Sequence, residues 1–264
     1  MGAADPLWPP WPDPLVASLG RDGPPRRFEG DIGTRFWRCK RRERRVLSGF
    51  EALPARPGRE VRPGARLWAA ALDAGAQAAL MAAVEAIWAE APPRHPVTRW
   101  GKPMSVGMSA AGPLGWTSDR RGYRYAPAQE DGRAWPPIPP MLLDLWAAAV
   151  PGAAPPDSCL VNLYRDRARM GLHQDRDEAD LTQPVVSVSL GDEALFRIGG
   201  AERGAPTQSL WLRSGDVLVL EGPARLAFHG IDRIRAGSSA VVPGGGRVNL
   251  TLRVAGATAA ASAS

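Results

Sequence analysis

Apolar and polar positions change their spacing twice along this chain. Over residues 1 to about 62 the apolar residues show no sustained period, and prolines and glycines are dense. From Asp73 to Glu90 the spacing becomes helical: Leu80, Val84 and Ile87 share one face, alanine fills the remainder, and Pro92-Pro93 stops the run. A second helix is predicted over Met141–Ala149, after the cluster "WPPIPP". Between them, "MSVGMSAAGPLGWTSDRRGYRYAP" (Met104–Pro127) reads as short strands and turns rich in Trp, Tyr and Arg. After Cys159 the period falls to two. In "PVVSVSL", Val186, Val188 and Leu190 alternate with Val185, Ser187 and Ser189. "ALFRI", "SLWL", "VLVL", "RLAFHG" and "RVNLTLRV" follow at roughly ten-residue spacing, punctuated by Gly and Asp, as in an antiparallel sandwich or jelly roll. Helices precede these strands instead of alternating with them, which argues against a Rossmann sheet.

The organisation expected is a Pro/Arg-rich N-terminal extension over 1–62, one domain over 63–256, and a disordered tail, "ATAAASAS", over 257–264. Within the extension, "RFWRCKRRERR" (Arg35–Arg45) reads as a solvated basic run, with Phe36 and Trp37 available for stacking as the competing reading. With 44% hydrophobic residues in 264, the chain can bury a real core. Its net charge of +6 suits a polyanionic partner, although an arginine-rich composition with two lysines also fits coding bias. Cys39 and Cys159 form no CxxC pair, so neither a zinc ribbon nor a disulfide framework is indicated. The first fifteen residues carry prolines and acids where a signal peptide needs a basic start and an apolar run, and no stretch approaches the ~20 apolar residues of a membrane span. A soluble, cytoplasmic protein is expected.

The chemistry concentrates in "NLYRDRARMGLHQDRDEAD" (Asn162–Asp180), where one of only three histidines sits two residues before an aspartate. On an extended segment His173 and Asp175 point to the same side. His229 follows 54 residues after Asp175, at the end of "RLAFHG". Two imidazoles and one carboxylate make the set that holds non-haem Fe(II) on one face and leaves the opposite positions open. A lone His-x-Asp is more often structural, and His229 also fits a buried strand-end histidine. The last strand shifts that balance. In "RVNLTLRV", Val248, Leu250, Leu252 and Val254 face one way, and Arg247, Asn249, Thr251 and Arg253 the other. Arginines on an inward face need anionic partners. Their Cα atoms lie about 20 Å apart on an extended strand, at ~3.3 Å per residue, and their side chains can lean inward onto the two ends of a short dicarboxylate. A solvated edge strand is the alternative.

"CLVNLYRDRARMGLHQDRDEADLTQPVVSVSLGDEALFRIGG", "SGDVLVLEGPARLAFHGI" and "RVNLTLRVAG" together resemble the AlkB family of Fe(II)- and 2-oxoglutarate-dependent dioxygenases, closest to its bacterial DNA-repair branch. The likeness runs from about Met104 to Gly256 in motif order and spacing. It implies an α+β, mainly β fold: a double-stranded β-helix, or jelly roll, with supporting N-terminal helices. It also implies oxidative demethylation of 1-methyladenine and 3-methylcytosine in DNA with Fe(II), O2 and 2-oxoglutarate, releasing formaldehyde, succinate and CO2. By resemblance His173, Asp175 and His229 are the iron ligands. Arg247 and Arg253 hold 2-oxoglutarate, with Asn162, Tyr164 and Asn249 adding hydrogen bonds. Residues 104–127 match the family's base-recognition lid. Trp116 is then the stacking platform, Tyr123 a pocket or phosphate contact, Asp177 the acid that meets the lesion's exocyclic amine, and Arg203 a base or backbone contact.

The sequence departs from the family in two places: an extension of some sixty residues that short bacterial members lack, and "VLVLEG" before His229, where a tryptophan is common. Alkylated DNA, single-stranded by preference, is the partner expected, with RNA open and the protein a monomer. Two other readings remain: a 2-oxoglutarate oxygenase that hydroxylates a protein or small molecule, and a catalytically silent nucleic-acid-binding module.

Overall fold

A computed structural model describes Leu53, residues 58–98 and residues 100–256. The basic run Arg35–Arg45, Phe36, Trp37, Cys39 and the expected tail lie outside these residues. The helices form where the period required them. Helix α1 spans Ala74–Glu90, and Asp73 caps it by accepting a hydrogen bond from the Ala76 amide at 2.8 Å. Helix α2 spans Pro140–Ala149, with proline at its first position, where no backbone N–H is needed.

Thirteen strands are described: β1 (Arg59–Arg62), β2 (Ala65–Trp68), β3 (Gly107–Ala111), β4 (Gly115–Asp119), β5 (Gly122–Ala126), β6 (Ser158–Tyr164), β7 (Met170–His173), β8 (Val185–Gly191), β9 (Glu193–Ile198), β10 (Gln208–Leu212), β11 (Val217–Leu220), β12 (His229–Arg235) and β13 (Arg247–Arg253). The major sheet has the order β1-β2-β11-β8-β13-β6-β3 and the minor sheet β10-β9-β12-β7; β4 and β5 form a separate hairpin. From β6 to β13 the chain passes back and forth between the two sheets, and all pairings are antiparallel. This is the jelly-roll winding of a double-stranded β-helix, as expected.

Two apolar layers hold the fold together. On one face of the major sheet, Val186, Val188, Leu190, Val248, Leu250 and Leu252 pack against Leu80, Val84 and Ile87 of α1 and Leu142, Leu145 and Trp146 of α2. Between the sheets, Tyr164, Val185, Leu218 and Leu220 meet Phe196, Ile198, Leu212 and Ile231. Alternation along β8 and β13 therefore sends one set of residues to the helices and the other set between the sheets. The functional groups lie in that second layer.

The structure revises three sequence expectations. Strand β1 pairs with β2 and buried Leu53 accepts a hydrogen bond from the Trp68 indole at 3.2 Å, so the ordered domain begins before residue 63. Within 104–127, β3 is the outer strand of the major sheet, and only Gly115–Ala126 forms a free-standing hairpin. "RLAFHG" is not a strand. Residues Gly222–Ala224 form a 3-10 turn with Pro223 at its start, and β12 begins only at His229. Arg225 holds this segment through its side chain, donating to the carbonyls of Gln183 (2.6 Å) and Asp175 (2.7 Å).

Candidate active site

The minor sheet supplies two of the candidate metal ligands. His173 ends β7 and His229 opens β12, and the two are direct cross-strand partners, with ring centroids 4.6 Å apart. Asp175 follows two residues beyond β7 and is buried between them. Its Oδ1 lies 3.6 Å from His173 Nε2, and its Oδ2 lies 3.9 Å from His229 Nε2. One ligand atom from each of the three residues falls within 4.8 Å of the others. Each imidazole turns its Nδ1 toward a carbonyl, His173 to Gly171 (3.0 Å) and His229 to Ala227 (2.9 Å). With Nδ1–H donating there, the Nε2 lone pair of each ring is directed at the shared centre, the tautomer that metal ligation requires. Burial and the neighbouring His173 push His229 down to about 4, so its ring is neutral at physiological pH. Burial alone would raise the Asp175 carboxyl, but Arg253, His229 and His173 together hold it well below the usual carboxylate range. Two imidazoles and one carboxylate thus converge on one point with a donor set suited to a divalent cation.

The major sheet supplies the opposite wall. Strand β13 lies between β8 and β6, not at an edge, so its polar face is internal. Arg247 pairs in register with Tyr164, and Asn249 with Asn162. Arg247 is 1% exposed, and its Nε and Nη1 have no protein partner; Arg253 Nη1 and Asn162 Oδ1 are likewise buried without one. Burial draws Arg247 down to about 10, an effect that Tyr164 and Asp216 only partly offset. Burial also keeps Tyr164 a phenol, pushing it up to about 12. Arg253 differs. Burial lowers its pKa, yet Asp175, Tyr125 and Glu178 more than reverse this and raise it. Its Nη2 and Nε donate to Asp175 Oδ2 at 2.7 and 3.1 Å. Unpartnered guanidinium nitrogens at both ends of one buried strand face fit a small dicarboxylate. The residues present therefore fit Fe(II) on one wall and 2-oxoglutarate on the other.

The β4–β5 hairpin lines the same cleft. The rings of Trp116 and Tyr123 stack with centroids 5.5 Å apart, and the Trp116 indole donates to Asp177 Oδ2 at 3.0 Å. Exposed Arg203 lies over the Phe228 ring at 4.8 Å. All twelve site residues expected from sequence line this one cleft of about 1020 Å³. Deeper in, Met108, Leu160, Leu218 and Leu220 form an apolar floor, with Leu218 and Leu220 coming from the "VLVLEG" strand.

Three residues of this region were not singled out by the sequence reading: Tyr125, Glu178 and Arg225. The Tyr125 hydroxyl donates to Glu178 Oε1 (2.7 Å), and Arg225 Nη2 donates to Glu178 Oε2 (3.1 Å) with both side chains at most 3% exposed. A signal existed for one of them. An arginine inside the apolar run "RLAF" must be either exposed or paired with a buried acid.

The 2OG-Fe(II) oxygenase superfamily model matches residues 64–253. The chain is 64% identical over 192 residues to an alpha-ketoglutarate-dependent dioxygenase AlkB homolog of Caulobacter vibrioides, covering 72% of this chain and 87% of that protein. It is 43% identical over 172 residues to the alpha-ketoglutarate-dependent dioxygenase AlkB of Escherichia coli, covering 63% and 79%. Among solved structures it is similar to OsALKBH1, at 30% identity and a TM-score of 0.64, covering 75% of this chain and 99% of that one. With the triad, the paired arginines and the jelly roll already in place, the chain belongs to the AlkB family of Fe(II)- and 2-oxoglutarate-dependent dioxygenases.

Proposed function

We propose that this dioxygenase demethylates alkylated bases in DNA, 1-methyladenine and 3-methylcytosine among them. The observation that carries the reading is an aromatic face and a carboxylate at the mouth of the iron cleft: Trp116 stacked on Tyr123, with Asp177 bonded to the indole and His173 lining the same cleft. A base methylated on a Watson–Crick nitrogen is flat and cationic, so it suits an aromatic platform beside an acid. Its pairing is already damaged, which lowers the cost of flipping it out and favours single strands. Bound iron, with O2 and 2-oxoglutarate, supplies the oxidation of the methyl carbon. The protein's own residues do the rest. Arg247 and Arg253 orient the co-substrate, Trp116 and Asp177 orient the base, and the apolar floor keeps water from the reacting carbon.

The net charge of +6 supports a nucleic-acid partner, and exposed Arg120, Arg121 and Arg203 on the rim of the cleft are placed to meet phosphates. The enzyme is read as a cytoplasmic monomer, in keeping with the buried free thiol of Cys159 and the need for reduced iron. Among the described residues no helix is long and apolar enough to cross a membrane.

The test is mass spectrometry of a single-stranded oligonucleotide carrying one 3-methylcytosine, incubated with protein, Fe(II), ascorbate and 2-oxoglutarate beside a His173→Ala control. Loss of one methylene mass with the intact protein alone is expected. Succinate production without demethylation would retain the oxygenase and refute the base as substrate.

A further inference from the structure

Glu178 is a buried carboxylate with no role so far, beside the metal ligand Asp175 and the co-substrate arginine Arg253 on the wall of the same cleft. Its side chain is 2% exposed and sits between two guanidiniums: Arg225 at 3.1 Å on Oε2, and Arg253 Nε at 3.2 Å on Oε1. Asp175 is the other buried carboxylate here, and it already receives Arg253 on Oδ2 while Oδ1 faces His173. Without Glu178, one carboxylate would have to neutralise two arginines and still serve a metal, and an uncompensated buried charge is costly. Glu178 balances the pair and leaves Asp175 available.

Glu178 also reaches outward. The Tyr125 hydroxyl of β5 donates to the same Oε1 that faces Arg253. Directly across the hairpin from Tyr125 stands Trp116, whose indole holds the neighbouring acid, Asp177. Two consecutive acids thus grip one rung of the hairpin, one on each strand. The Asp177 contact is exposed and ends at the cleft mouth. The Glu178 contact is half-buried and continues through Arg253 to the co-substrate wall.

We propose that Glu178 is a positioning residue that couples the β4–β5 hairpin to the grip of Arg253 on 2-oxoglutarate, with Tyr125 as the link. When the carboxylate of 2-oxoglutarate engages the unpartnered Nη1 of Arg253, the guanidinium is fixed, Glu178 is fixed with it, and Tyr125 holds the hairpin down. Coupling of this kind is reciprocal, so a hairpin held down by a bound base tightens the co-substrate in turn. The proposal rests on Arg253 as a co-substrate ligand and is independent of which base, or which nucleic acid, is oxidised.

The experiment is hydrogen exchange of the full chain loaded with Mn(II), with and without saturating 2-oxoglutarate and with no nucleic acid present. Calorimetry confirms saturation. In the wild type, 2-oxoglutarate should slow exchange of the Gly115–Ala126 amides by about fivefold or more, the lower end of ordinary coupling between sites. Tyr125→Phe loses only a hydroxyl, and its hairpin should become indifferent to 2-oxoglutarate although the ligand still binds. Glu178→Gln should show the same indifference. A merely structural role for Tyr125 would alter hairpin exchange equally in both ligand states. Ligand-dependent protection surviving in Tyr125→Phe, or absent from the wild type, would overturn the coupling. Arg253→Lys separates the premise: undiminished 2-oxoglutarate binding there removes Arg253 from the co-substrate site and the proposal with it.

Discussion

Replacing Arg247 with methionine separates a residue kept for its ligand from one kept for the fold. Arg247 is buried in β13 with two guanidinium nitrogens unpartnered, and burial lowers its pKa from the ordinary arginine range to about 10. At 1.36 kcal/mol per pKa unit, that difference corresponds to a cost of about 3 kcal/mol for keeping the charge in the ligand-free protein. A base whose folded pKa is depressed carries this cost in full below about 10 and is relieved of it as pH rises from there toward the ordinary arginine range. Methionine has a similar reach and no charge, so the ligand-free Arg247→Met protein should be more stable at pH 7. Allowing for imperfect packing, about 1–2 kcal/mol of gain corresponds to roughly 2–8 °C in the unfolding midpoint for a domain of this size. Ligand-induced stabilisation should move the opposite way. With Mn(II) present and 2-oxoglutarate at a hundred times its Kd, the wild type should gain about 2.7 kcal/mol from the ligand. In Arg247→Met the lost charge-assisted fork, about 3–5 kcal/mol, weakens binding by roughly 100-fold or more and should abolish that shift. Thermal unfolding of both proteins with and without 2-oxoglutarate reads both signs at once. A ligand-free variant that melts several degrees lower yet keeps the full 2-oxoglutarate shift would show that Arg247 is structural.

His173→Ala should abolish turnover and Mn(II) binding, the latter followed by calorimetry, while the unfolding midpoint of the metal-free protein changes little, because this side chain is 37% exposed. Asp175→Ala should also abolish turnover but at a stability cost of about 3–5 kcal/mol, since it leaves the buried Arg253 short of a carboxylate; denaturant unfolding measures the difference between the two variants. Trp116→Phe keeps a stacking ring and loses the N–H that holds Asp177, so KM for a methylated oligonucleotide should rise several-fold with little change in the 2-oxoglutarate KM, whereas Trp116→Ala should cost about tenfold or more by losing the stack. Deleting residues 1–40 should spare turnover and reduce DNA affinity at moderate salt, read by fluorescence anisotropy, whereas deletion through residue 62 removes Leu53 and β1 and should lower the unfolding midpoint.

Much of this enzyme was legible one residue at a time. Period-two alternation in β8 and β13 set which side chains meet the helices and which face inward, because a strand has only two faces and the valines and leucines occupy one of them. The same alternation placed Arg247, Asn249 and Arg253 on a common inner face, and His-x-Asp on an extended segment put two ligands on one side. Helix limits were marked by Pro92-Pro93 after the first helix and by the proline cluster before the second, because proline supplies no amide. Other features depended on distance in space. "RLAFHG" has the composition of a strand, yet Arg225 binds the carbonyls of Asp175 and Gln183, 50 and 42 residues away, and long-range side-chain bonds there outweigh local propensity. The edge or interior placement of β13 depended on β6 and β8 arriving on either side of it, and pairing partners leave no local mark in a strand. The connection from Tyr125 through Glu178 to Arg253 crosses 53 and then 75 positions of sequence, and only the folded chain brings those charges within hydrogen-bonding reach. Periodicity is a property of neighbours along the chain, so it reveals faces. Which face meets which, and which buried charges must then balance, is decided by packing.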